Sequence, residues 1–162
     1  MSEPVSIRSP VTRIDVRVRV GSHMLAATDD PLFLGLEGPG GREFRLLMAH
    51  GKCLRRKSED HFVVGAAHGG ETNLASPELN DPTTPALDAT RIQGVYLRKG
   101  VDPIPNVRAV GELDDRLELM HAEVEIHSSA EASPRRFVRD GPIWLGLNAG
   151  MRLELAPADE DR

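Results

Sequence analysis

Cys53 and His50 come closer than any other residues of this chain to a nucleophile with its base, a thiol and an imidazole three residues apart. On or near a strand that odd separation turns the two side chains to opposite faces, so the spacing argues against a working pair. The remaining histidines, His23, His61, His68, His121 and His127, are scattered. None has the helical His-Glu-x-x-His spacing that binds zinc, and Cys53 has no second cysteine beside it to complete a zinc pair. Ser22, Ser58 and Ser128 stand outside any Gly-x-Ser-x-Gly context. Gly38-Pro39-Gly40-Gly41 is followed by neither Lys-Ser/Thr nor a helix start, which removes it as a phosphate loop. No residue is therefore assigned a catalytic role.

Arginines are the charged groups left to explain. Arg13, Arg17 and Arg19 line one face of an alternating stretch that also carries Asp15, Arg55-Arg56-Lys57 form a run, and Arg135, Arg136 and Arg139 a second cluster. Two readings stand side by side. They form a solvated face that discourages edge-to-edge pairing of strands, or they dock an acidic protein partner, a second copy of the chain included. A net charge of -5 argues against nucleic acid or an anionic membrane as the main partner, an average that local basic patches can override. One cysteine allows no internal disulfide. No apolar run approaches the roughly 20 residues of a membrane span. The N-terminal residues lack the pattern of a secretory signal, so a cytoplasmic location is expected.

These side chains must be positioned by strands. Ile14, Val16, Val18 and Val20 alternate with Asp15, Arg17 and Arg19, the period of two that gives a strand one buried and one wet face. Leu32–Leu36 and Phe44–Met48 flank a Gly-rich turn and read as a hairpin. Further strands are expected at His61–Val64, Ile92–Leu97, Leu117–Ile126, Ile143–Leu145 and Met151–Leu155, with a bulge near His121 where the alternation slips. No segment has a convincing amphipathic helix of three turns. The spacing predicts an all-β sandwich or barrel over residues 11–155, with loose termini at 1–10 and 156–162. Residues 66–89, rich in Gly, Pro and polar side chains, form a long irregular loop, the kind that is either functional or mobile.

With the strands placed, the chain resembles the PLAT/LH2 (lipoxygenase homology) domain. Val16-Arg-Val-Arg-Val-Gly21 followed by Ala27-Thr28-Asp29-Asp30-Pro31-Leu32-Phe33 is similar to that family's first strand, Gly-Thr-Asp turn and second strand. Gly38–Arg42 resembles its next turn, Lys57-Ser58-Glu59-Asp60-His61-Phe62 its Gly-Ser-x-Asp-x-Phe motif, and Ile143-Trp144-Leu145 its tryptophan-bearing segment. The resemblance implies an antiparallel β-sandwich of two roughly four-stranded sheets. It also implies that calcium is a candidate cofactor, held by Asp29, Asp30 and Asp60 in loops at one end. Against that, Ser22–Ala27 and Ala49–Lys52 carry no acid, calcium needs 6–8 oxygens, and these residues can simply cap turns. Membrane docking by exposed aromatics is a further family use, but Phe33, Phe44, Phe62 and Trp144 are expected to fill the core. The expected function is a non-catalytic protein-interaction or targeting module, with no cofactor required. Calcium-dependent binding to membrane lipid and structural self-assembly are the alternatives.

Overall fold

The Ile14–Val20 alternation becomes the longest stretch of a strand that organises one whole layer. The computed structural model describes residues 6–65, 72–100, 116–147 and 149–158. Its strands are β1 (Val11–Val20), β2 (Leu32–Glu37), β3 (Glu43–Arg45), β4 (Glu59–Gly65), β5 (Gly94–Lys99), β6 (Leu117–Ser128), β7 (Arg135–Leu145) and β8 (Arg152–Pro157). All pairings are antiparallel. The hydrogen-bonded order is β3-β2-β5-β8-β7-β6-β1-β4. It divides into two layers of four, β3-β2-β5-β8 and β7-β6-β1-β4, joined by the short ladder Phe137↔Pro157 and Val138↔Ala156. The expected two-layer all-β architecture is present, with its layers continuous at one edge.

Inward residues of the two layers form one apolar cluster. Ile14, Val16, Val18, Phe62, Val64, Val124 and Ile126 meet Leu34, Leu36, Phe44, Val95, Leu97, Leu153 and Leu155. Each such side chain contributes about 1.5–3 kcal/mol by leaving water.

The sheet order leaves β3 and β4 at its two ends, and the chain after β4 closes the gap between them. Leu74 bridges Met48, just beyond β3. On the other side Asn73 takes the place of a strand partner. Its Oδ1 accepts from Val63 N at 2.8 Å, and its Nδ2 donates to the His61 carbonyl at 2.6 Å. Leu74, Leu87 and Ala89 are buried beneath this segment. The described part of the expected loop, 72–89, is thus irregular but fixed, with single 3-10 turns at Pro77–Leu79 and Ala89–Arg91; residues 66–71 lie outside the described residues. The N-terminal stretch, expected to be loose, is docked from Arg8 onward. Arg8 N donates to Asp88 Oδ2 at 2.9 Å, Ser9 is buried, and Pro10 bridges Asp88. At the other end β8 runs on to Pro157, past the expected limit at 155.

β7 begins eight residues before the Ile143–Leu145 segment that the sequence marks as a strand. Gly141-Pro142 hides it. The β6–β7 register jumps from His121↔Asp140 to Leu119↔Ile143, so Pro142 falls at the irregularity, where a proline costs no regular ladder bond. The expected slip near His121 is this feature: Met120 is the extra residue, skipped between Val20↔Leu119 and Arg19↔His121. Beyond it His121, Glu123, Glu125 and His127 share the outer face of β6.

Candidate functional site

The antiparallel order gathers the β1–β2, β3–β4 and β7–β8 connections at one end of the fold. Asp29, Asp30 and Asp60 lie here, each already engaged. Asp29 pairs with Arg55. Asp30 Oδ2 receives Lys99 Nζ at 2.5 Å, and Lys99 is only 2% exposed at the end of β5. Asp60 Oδ2 accepts from Leu54 N at 2.9 Å and Ser58 Oγ at 2.7 Å, while Thr28 Oγ1 accepts from Asp30 N at 3.0 Å. Thr28 and Asp60 therefore cap turns, the plainer of the two sequence readings. Asp29 and Asp30 are neutralised by cations of the chain itself. Among the described residues the three aspartates do not converge as a ligand group.

Beside them the β1–β2 loop exposes two large apolar side chains, Met24 (83%) and Leu25 (58%), and the β7–β8 turn exposes Leu147 (61%). Trp144 belongs to this end. The sequence placed it in the core, but Leu145 is the residue that points inward, opposite Leu117, and alternation sends Trp144 outward opposite Glu118. There its ring meets His23 edge-to-face at 5.2 Å, with the Arg116 guanidinium over it at 5.1 Å. Phe33 is a second correction: it lies on the outer face under Arg98, 4.3 Å from the ring centre. Phe44 and Phe62 fill the core as expected. The basic run is attached to the same end, since Lys57 N donates to the Gly21 carbonyl at 3.0 Å, and Arg56 and Lys57 are exposed. Sequence reasoning noted the missing acids of Ser22–Ala27 and passed over Met24-Leu25. Two adjacent large apolar residues in an otherwise small and polar loop were the available signal.

The other arginines do not form one patch. Arg13 bonds Asp15 through Nε at 3.0 Å and an amino group at 2.8 Å. Arg17 lies 3.5 and 3.6 Å from Glu123 and Glu125, and Arg136 Nε donates to Glu123 at 3.0 Å. Arg135 shares the Phe137 side of β7, where its guanidinium donates to the Ala89 carbonyl. Alternation puts Arg139 on that side too, opposite to Arg136. Arg19, Arg56 and Arg139 are exposed. Burial raises the Glu123 carboxyl, but the bonds from Arg136 outweigh it and hold the group below its ordinary value.

Nothing activates the candidate nucleophile. Cys53 packs half-buried against the core, and burial, the largest influence, pushes its thiol up and away from thiolate. Ser58 serves Asp60, and Ser128 accepts from Ser9 Oγ at 2.8 Å. His68 lies outside the described residues. Among those described, no helix is long and apolar enough to cross a membrane.

No family model matches the chain, and no curated protein matches it. Solved structures do. Alpha toxin from Clostridium absonum superposes with a TM-score of 0.58 at 15% identity, over 93% of this chain and 32% of the toxin. The Clostridium perfringens alpha-toxin from an avian strain gives 0.56 at 16%, over 95% and 34%. Coral 8R-lipoxygenase, described as activated by calcium through a C2-like domain, gives 0.55 at 17%, over 91% of this chain and 17% of the enzyme. The chain thus spans about a third of the toxins and about a sixth of the lipoxygenase. At such identities the likeness shows a shared fold, and that fold agrees with the lipoxygenase-homology resemblance carried by the motifs of the first half.

Proposed function

We propose that this chain is a non-catalytic targeting module that docks by its loop end on anionic membrane surfaces without calcium. The observation that carries this reading is the exposed Met24–Leu25 tip, with Trp144 against the adjoining His23, Arg116 over Trp144, and Leu147, Arg56 and Lys57 exposed at the same end. Apolar side chains that enter the acyl boundary, an indole at the interface and cations at headgroup level are the parts such docking needs. Met24 and Leu25 contribute about 1.5–3 kcal/mol each on burial, and each cation near anionic lipid about 1 kcal/mol. Binding of this kind is reversible and weakens with salt.

Calcium enters the fold-mate's account, since the coral lipoxygenase is described as calcium-activated through its C2-like domain. Here Arg55 and Lys99 stand against Asp29 and Asp30, supplying the positive charge that calcium would otherwise bring. A protein partner for the arginines has less support, because Arg13, Arg17, Arg55, Arg135 and Arg136 engage groups of the chain itself.

The test is co-sedimentation with vesicles of phosphatidylcholine alone or mixed with phosphatidylserine, in chelator and again in calcium. The protein is expected to pellet with the mixed vesicles in chelator, and a Met24→Glu/Leu25→Glu variant of unchanged melting temperature to stay in the supernatant. Pelleting only in calcium would establish the calcium-dependent alternative instead. Failure to pellet in any condition would remove lipid as the target.

A further inference from the structure

Asp15 occupies a wet-face position of β1, yet it is 2% exposed. Its cover comes from both neighbouring strands. In the β1–β4 register His61 lies opposite Arg17, one diagonal step from Asp15; in the β1–β6 register Glu125 lies opposite Asp15 and His127 opposite Arg13. His61 Nε2 approaches Asp15 Oδ1 to 2.6 Å, and His127 Nε2 approaches Asp15 Oδ2 to 3.0 Å and Glu125 Oε2 to 3.8 Å. Two imidazole nitrogens from different strands thus aim at one buried carboxylate, with a second carboxylate alongside. Arg13 bonds the same carboxylate through Nε at 3.0 Å and an amino group at 2.8 Å.

The His127 nitrogen is the informative atom. It is shut off from solvent and has no hydrogen-bond partner. Its distance from Asp15 Oδ2 falls within ion-pair reach, but the direction is wrong for a hydrogen bond, so the proximity does not satisfy it. The His127 ring is itself 36% exposed, so an ion can reach this nitrogen, which faces two carboxylate oxygens at ion-pair distance as a metal ligand does. Tetrahedral zinc with bonds of about 2.0 Å holds its ligand atoms roughly 3.3 Å apart. The separations of 3.0 and 3.8 Å bracket that value. Asp15, Glu125 and His127 have ligand atoms all within 4.8 Å of one another.

We propose that the outer face of the β1–β6 pair is a zinc site, with Asp15, Glu125 and His127 as ligands and water in the fourth position, while His61 holds the other oxygen of Asp15. Mixed imidazole and carboxylate donors suit zinc over calcium, which takes oxygen alone. The Arg13 guanidinium, bonded to both oxygens of Asp15, is the cation that the metal displaces. The bound ion staples β1 to β6 and raises the melting temperature by linkage. This site lies on the sheet face, away from the loop end, and stands or falls independently of membrane docking.

The test titrates zinc into the full chain by calorimetry, in a Cys53→Ser background so that the free thiol does not compete. One equivalent is expected to bind and to raise the melting temperature. His127→Ala and Glu125→Gln, both checked for an unchanged fold by circular dichroism, should weaken binding at least tenfold. Arg13→Ala should tighten it, because the competing guanidinium is gone. Cobalt in place of zinc should show the intense visible bands of a tetrahedral site. Absence of binding, or binding indifferent to the His127, Glu125 and Arg13 changes, would overturn the proposal.

Discussion

Lys99 shows how much one residue can depend on a partner remote in sequence. Its ammonium is buried against Asp30, 69 positions away, and also donates to the Gly100 carbonyl at 3.3 Å. Removing one member of a buried pair leaves an uncompensated charge, at a cost of about 3–5 kcal/mol, whereas replacing both by apolar groups of similar volume is close to neutral. Asp30→Ala is therefore expected to lower the unfolding free energy obtained from urea titration by that amount, and Asp30→Leu/Lys99→Met to restore most of it. Equal losses in the two variants would mean that Asp30 acts through its turn and not through Lys99. None of this was legible in the sequence. Asp30 stood at a motif position and Lys99 lay beyond the expected Ile92–Leu97 strand, because nothing local announces that β2 and β5 pair Leu32 with Lys99. Asp15 was opaque for the same reason: its cover of His61 and His127 comes from strands 46 and 112 residues further on.

At the scale of elements, legibility followed the regularity of each strand. From Ile14 to Val20 the sequence of β1 alternates without interruption, and one register buries Ile14, Val16, Val18 and Val20. The β2–β3 hairpin was equally plain, its strands joined through Gly38 and Gly40 at positive φ. β7 was legible only at its end because Gly141-Pro142 breaks the pattern where the ladder itself breaks. Within Ile143-Trp144-Leu145 composition could not say which side chain faces inward; only the pairing with Leu117 and Glu118 decides it. The stretch after β4 carried no periodic signal because it uses side chains for pairing. Asn73 gives β4 both a donor and an acceptor, so Asn73→Ala should cost about 1–3 kcal/mol and speed amide hydrogen exchange at Val63, whose N–H it receives. Unchanged exchange at Val63 would show that the edge is closed by other means.

For the whole molecule the division is between a closed body and an open end. One end and both free sheet edges are tied by residues 8–10 and 72–89. The other end collects the connections that carry exposed Met24, Leu25 and Leu147, together with the aspartates and their cations. The motifs of the first half pointed to that end as functional, but through acids. The structure gives the acids to Arg55 and Lys99 and leaves the apolar tip as the distinctive feature. Trp144, the chain's single tryptophan, lies beside that tip and reports on it without added label. The most direct measurement follows its fluorescence while phosphatidylcholine/phosphatidylserine vesicles are added in chelator. Docking by the loop end predicts a blue shift and quenching by brominated lipid, both lost in Met24→Glu/Leu25→Glu. Emission unchanged at saturating vesicles would contradict docking by this end of the molecule.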